Sequence, residues 1–132
     1  MAAGGAAGTR RGDHETPLRR LVRRLTQTEE QRDAELLRRE ATRAGYRLAR
    51  DCTRGQFVTL AGRLRTVTYS PRTQQPALEA ELYDGTGSVT LVWLGRRSIV
   101  GIEPGRRITV RGRVAERDGQ LVIFNPYYEL SP

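Results

Sequence analysis

The sequence predicts a mainly β fold: a small five-stranded barrel over residues 55–132, preceded by a charged α-helical N-terminal segment. Three observations carry that prediction. Between residues 15 and 54 apolar side chains recur at helical spacing, whereas from Gly55 onward they alternate with polar ones at period two. Glycine, proline and aspartate then punctuate the second half at short intervals, as turns between strands require. The charge is also uneven, with thirteen of the 23 basic residues, all arginine, in residues 1–54. Three segments follow: residues 1–14 as a disordered tail, 15–54 as a helical leader and 55–132 as the barrel.

The tail (MAAGGAAGTRRGDH) is small and polar, with nothing to bury, and holds the single histidine, His14. Thr16-Pro17 then reads as a helix N-cap with proline in the first helical position, where its missing N–H costs nothing. Leu18, Leu21, Val22 and Leu25 share one face of that helix; Arg19, Arg20, Arg23 and Arg24 share the other. Thr28 with Gln31 has the form of a second capping box, predicting a second helix through Ala44 that Gly45 ends. Glu35 and Arg39 form an i,i+4 pair on it. Its apolar stripe is thin (Ala34, Leu37, Ala41, Ala44, Leu48), so this helix needs the barrel or a partner to fold against.

The first strand covers Phe57–Tyr69, with Val58, Leu60 and Leu64 on the core parity and Arg63, Arg65 and Tyr69 on the other. A polar loop, Ser70–Pro76, leads to strands at Ala77–Tyr83 and Ser88–Leu94, joined by the turn Asp84-Gly85-Thr86-Gly87. Residues 95–105 form a connector with room for a short helical turn. Glu103-Pro104-Gly105 then turns into a strand at Arg107–Arg117, and Asp118-Gly119 makes the hairpin to a last strand at Gln120–Phe124. Trp93 shares parity with Val89 and Leu91 and belongs in the core, barring a bulge. Tyr127 and Tyr128 fall beyond the last strand, one packed under the barrel and the other exposed. Five short strands, a long first one and an insertion between the third and fourth make the layout of an oligonucleotide-binding (OB) barrel.

Composition excludes several classes. One cysteine, Cys52, permits no internal disulfide and no cysteine-rich zinc site, and it points to a reducing, cytosolic compartment. No apolar run reaches the roughly 18 residues that a membrane span needs, and Arg10-Arg11 has no apolar stretch after it. The net charge of +8 admits a polyanionic partner without selecting one, since solubility alone would account for it. The absence of lysine fits a GC-rich coding sequence, so arginine is not by itself a sign of bidentate recognition.

The stretches ELYDGTGSVTLVWLG (81–95), EPGRRITVRGRV (103–114) and NPYYEL (125–130) resemble bacterial OB domains that bind nucleic acid. They are most similar to the wedge domain of RecG-type branch-migrating helicases, with its DGTG turn, PG-led fourth strand and His/Asn-Pro-x-Tyr-like ending. A charged helical leader before a lone barrel also resembles short actinobacterial OB-fold nucleic-acid-binding proteins. The resemblance covers about 75 of the 132 residues. It implies the barrel and a nucleic-acid partner, but none of the helicase's ATPase machinery.

No catalytic constellation emerges, and the expectation is a binding module without enzyme activity or cofactor. A phosphate loop of the G-x-x-x-x-G-K-[ST] type is impossible without lysine. Glu79 and Glu81 share a strand face without any nucleophile or metal ligand beside them; on a nucleic-acid face they must pair with Arg63 or Arg65, or accept hydrogen bonds from base edges. OB barrels bind single strands across their second and third strands, with cations for the backbone and aromatic planes for the bases. The candidates for that work are Arg63, Arg65, Tyr69, Arg72, Tyr83, Arg96 and Arg97, each of which also suits plain barrel exterior. The expected partner is single-stranded DNA, or RNA, bound without sequence preference. The alternative is a protein partner docking on residues 15–54, with the barrel as scaffold.

Overall fold

The computed structural model describes residues 16–70 and 75–132 and contains one long helix, α1 (Pro17–Ala44), a 3₁₀ turn (Ala49–Asp51) and six strands. The strands are β1 (Phe57–Ser70), β2 (Ala77–Tyr83), β3 (Ser88–Leu94), β4 (Arg107–Arg117), β5 (Gln120–Phe124) and β6 (Tyr127–Leu130). The chain divides into two units between Arg32 and Asp33. The predicted tail, residues 1–14, lies outside the described residues.

In the first unit, Thr16 Oγ1 accepts the Arg19 N–H at 3.2 Å, the cap that the sequence predicts. Every described side chain of this unit is exposed, Leu18, Leu21, Val22 and Leu25 included. The predicted break at Thr28 does not occur, and one continuous helix replaces the two expected. Thr28 turns its hydroxyl back to donate to the Arg24 carbonyl at 2.8 Å, and Thr26 does the same to Val22 at 3.0 Å. A capping-box pattern inside an already propagating helix has an intact i−4 ladder to join, so it stops nothing.

The second unit begins in the same helix, where Glu35 and Arg39 form the expected pair at 2.6 Å. Leu37 and Ala41 are its buried contacts. Gly45, at φ +75°, ends the helix as predicted: the Tyr46 N–H donates to the Ala41 carbonyl and the Gly45 N–H to Thr42. This half of α1 is tied to the barrel by two ion pairs, Asp33 with Arg63 and Glu40 with Arg107.

The barrel closes as β1-β2-β3-β5-β4 and back to β1, with β3 and β5 parallel and the other neighbours antiparallel. Val58, Leu60, Leu64, Leu82, Leu91, Val110, Val114 and Ile123 fill its interior, and Trp93, 5% exposed, joins them as its parity predicts. The sixth strand corrects the five-strand count. β5 and β6 both run antiparallel to β4: three steps along β4, from Val114 to Arg111, match four along the partner, from Ile123 to Tyr127. β6 is thus the last strand carried on past a one-residue irregularity at Asn125-Pro126, where Asn125 takes φ 49°. The Asn125 N–H donates to the Val92 carbonyl and its Oδ1 accepts the Leu94 N–H. The connector 95–105 holds only turns, among them the Ile102 N–H donating to Ile99, and no helix.

Candidate functional site

The outward side chains of β2 and β3, the far end of β1 and the β4–β5 turn border a groove of about 590 Å³. Its walls are mainly hydroxyl and amide groups, from Thr66, Thr68, Ser88, Thr90 and Gln120, with Glu79 and Glu81 on the floor. Neither carboxylate reaches Arg63 or Arg65, the partners expected for them. Glu79 takes the Arg117 guanidinium at 2.6 Å, and Glu81 accepts the Ser88 hydroxyl at 2.9 Å. Arg117 stands on the strand that closes the barrel from the other side of β5, a neighbour that parity along one strand does not reveal.

β1 makes the groove through a bulge. Its register to β2 shifts between Leu64 and Val67, so that Arg63 opposes Tyr83 but Tyr69 opposes Leu78. Opposed residues share a face, so beyond the bulge the parity inverts. Thr68 and Ser70 turn to the groove side beside Glu79 and Ala77, while Tyr69 falls on the side of Leu78. This corrects the expectation that Arg63, Arg65 and Tyr69 share one face.

The predicted site residues therefore fall into separate groups. Arg63 forks onto Asp33, Nε to Oδ2 at 3.2 Å and NH2 to Oδ1 at 2.8 Å, and its third nitrogen donates to the Gly105 carbonyl at 3.1 Å. Arg65 is exposed and lies over the half-buried Tyr83 ring, 3.4 Å from its centroid. Arg97 lies 5.2 Å over the Tyr69 ring, with the exposed Arg96 beside it. Arg65–Tyr83 and Arg97–Tyr69 stand at opposite ends of β2, since Tyr83 ends that strand and Leu78, opposite Tyr69, is its second residue. Arg72 lies outside the described residues.

Asp84 is the one buried charged side chain among the described residues. Its Oδ1 accepts the Thr86 N–H at 2.9 Å, the Thr86 hydroxyl at 2.6 Å and the Gly87 N–H at 3.3 Å. Its Oδ2 accepts the Ala49 N–H at 2.6 Å. Gly85, at φ +92°, sits against the Ala34 carbonyl of α1, where a Cβ would collide. The DGTG turn thus seats both the helix and the segment after it. Beneath that segment, burial pushes the Cys52 thiol above its ordinary pKa, and the Arg47 charge opposes the shift only in part. No cluster of His, Cys, Asp or Glu among the described residues is arranged to hold a metal, and no described helix is long and apolar enough to cross a membrane.

Residues 58–131, more than half of the chain and all but the first residue of the six strands, match the family of OB-fold nucleic acid binding domains. Among solved structures, RecG bound to a three-way DNA junction is similar at a TM-score of 0.51 and 28% sequence identity. That likeness covers 62% of this chain and 12% of the RecG chain, so the chain corresponds to a small part of RecG's length. No curated protein matches it.

Proposed function

The chain belongs to the OB-fold nucleic acid binding domain family, and from that premise we propose that it binds single-stranded nucleic acid, DNA ahead of RNA, along the β2–β3 groove. The observation that carries the reading is the Arg65–Tyr83 stack at one end of a groove walled by hydroxyls. It offers a cation to a phosphate and, in the guanidinium lying over the ring, a plane on which a base stacks. The exposed Arg96 and Arg97, just past the far end of β3, supply further cations. Glu79, neutralised by Arg117, and Glu81, held by Ser88, repel phosphate less than free carboxylates would, and both accept hydrogen bonds from base amino groups. The likeness to RecG, a protein solved on a DNA junction, supports nucleic acid as the ligand class.

The groove acts in this reading by binding and not by catalysis, since its two carboxylates are already engaged. A single free, buried thiol supports a cytosolic setting. Arg63 is assigned a positioning role, through Asp33. The test is a titration of labelled oligothymidylate with the Arg65→Ala/Arg96→Ala/Arg97→Ala variant. Affinity should fall by about tenfold or more, and the slope of log K against log salt should shrink by about 0.7 per lost phosphate contact. Unchanged affinity and slope would remove this groove from consideration.

A second reading is favoured by the exposed stripe of Leu18, Leu21, Val22 and Leu25. In it, residues 17–32 dock on a protein partner. Deleting residues 1–32 should then abolish a pull-down partner while leaving nucleic-acid affinity intact.

A further inference from the structure

The outward face of β1, β4 and β6 carries a second set of arginines and aromatic rings, on a different side of the barrel from the β2–β3 groove. The register places Phe57 opposite Arg113, Thr59 opposite Arg111, and Arg111 opposite Tyr127. Opposed residues share a face; their neighbours Val58, Leu60 and Val110 point into the core, so these five point outward. Phe57 is 57% exposed and Tyr127 68%, a large apolar area to leave open on a strand face. The Arg111 guanidinium lies 5.4 Å over the Tyr127 ring, and Arg113 donates to the Gly55 carbonyl at 2.7 Å. Among the described residues no carboxylate forms an ion pair with either arginine. Arg111, Tyr127 and Tyr46 border a hollow of about 740 Å³, in which Glu129 is the one acidic group.

Two aromatic rings set among guanidinium groups and a threonine hydroxyl offer planes on which bases stack and cations that meet phosphates. The charge points the same way: Arg111 and Arg113 on this face stand against one carboxylate, Glu129. We propose that this face binds a second segment of single-stranded nucleic acid, Tyr127 and Phe57 stacking bases and Arg111 and Arg113 meeting phosphates. The barrel then holds two segments at once, one in the groove and one here. This inference rests on the reading of the chain as a single-strand binder.

The experiment uses the full chain and oligothymidylate bearing 5-bromodeoxyuridine, photocrosslinked and mapped by peptide mass spectrometry. A titration of the Tyr127→Ala/Arg111→Ala variant accompanies it, with Tyr127→Phe as the conservative control. Both altered residues are exposed, and a thermal melt superimposing on the parent shows the fold intact. Crosslinks at Tyr127 or Phe57, besides those at the groove, are expected. The double variant should bind about tenfold more weakly, as loss of a stacked base and a phosphate contact requires, while Tyr127→Phe should bind as the parent does. Crosslinks confined to the groove peptides, with unchanged affinity in the double variant, overturn the inference and leave the groove reading standing. No binding by the parent chain overturns both. Self-association seen by sedimentation that the double variant abolishes, with nucleic-acid affinity unchanged, makes the face a contact between copies and also overturns it.

Discussion

Asp84 accepts four hydrogen bonds with one buried carboxylate, three inside its own turn and one from Ala49, thirty-five residues away. Replacing it with alanine strands the Ala49 N–H in a buried place and the three turn donors in a half-buried one, which costs more than the loss of four solvated bonds would. Asp84→Ala should therefore lower stability by about 3 kcal/mol, seen as a fall in the urea midpoint at unchanged m-value. A shift under about 0.5 kcal/mol, usual for surface sites, would contradict this account of the turn. Cys52 gives a pH test. Its folded-state pKa is raised by desolvation, so its contribution to stability is complete below the ordinary thiol range and is lost as pH rises through the folded value. Stability should therefore decline above about pH 9 by a component that Cys52→Ser removes, measured by urea unfolding along a pH series. At this scale the sequence was partly legible. Asp84-Gly85 reads as a turn from its own residues, but its hold on Ala49 is invisible because the partner is remote in sequence. Trp93 was placed correctly because its strand is regular; Tyr69 was not, because a bulge between them inverts its parity relative to Arg63.

Helix α1 carries two kinds of residue along one continuous run. In Asp33–Ala44 the buried contacts are Leu37 and Ala41, whereas in Pro17–Arg32 nothing is buried. Leu37→Ala should cost about 2–3 kcal/mol, while Leu21→Ala should change stability by less than about 0.5 kcal/mol. Equal effects would mean that the first half is covered by something in solution. Amide hydrogen exchange should divide at the same point, with residues 17–32 exchanging faster than 33–44, because helical stability comes from the packed face more than from propensity. The cap at Thr16, the stop at Gly45 and the Glu35–Arg39 pair were all legible, since each is written in adjacent residues. The absence of a break at Thr28 was not, because a capping pattern works only where the helix has already ended. β6 escaped notice for a similar reason. Asn125-Pro126 reads as the end of a strand, and only the continued pairing of Tyr127–Leu130 with β4 shows that the strand goes on.

At the scale of the whole molecule, the barrel's architecture follows from alternation and turns, and the sequence makes it readable from Phe57 to Phe124. The distribution of charge over the barrel's faces does not follow in the same way. Net charge is +8, yet the groove contains Glu79 and Glu81, and Arg63 and Arg107 are paired with carboxylates of α1. Which arginines stay available depends on which faces the helix and the closing strands cover, and that is a property of tertiary packing. In the proposed reading, exposed arginines such as Arg65, Arg96, Arg97, Arg111 and Arg113 would make binding electrostatic in its first approach and dependent on stacking for its persistence. The most direct test of this is a fluorescence-anisotropy titration of the intact chain with labelled single-stranded DNA, single-stranded RNA and duplex across a salt series. The account predicts that single strands bind more tightly than duplex, with log K falling linearly in log salt at about −0.7 per phosphate neutralised. Duplex bound as tightly as single strand, or no binding even at low salt, would contradict it.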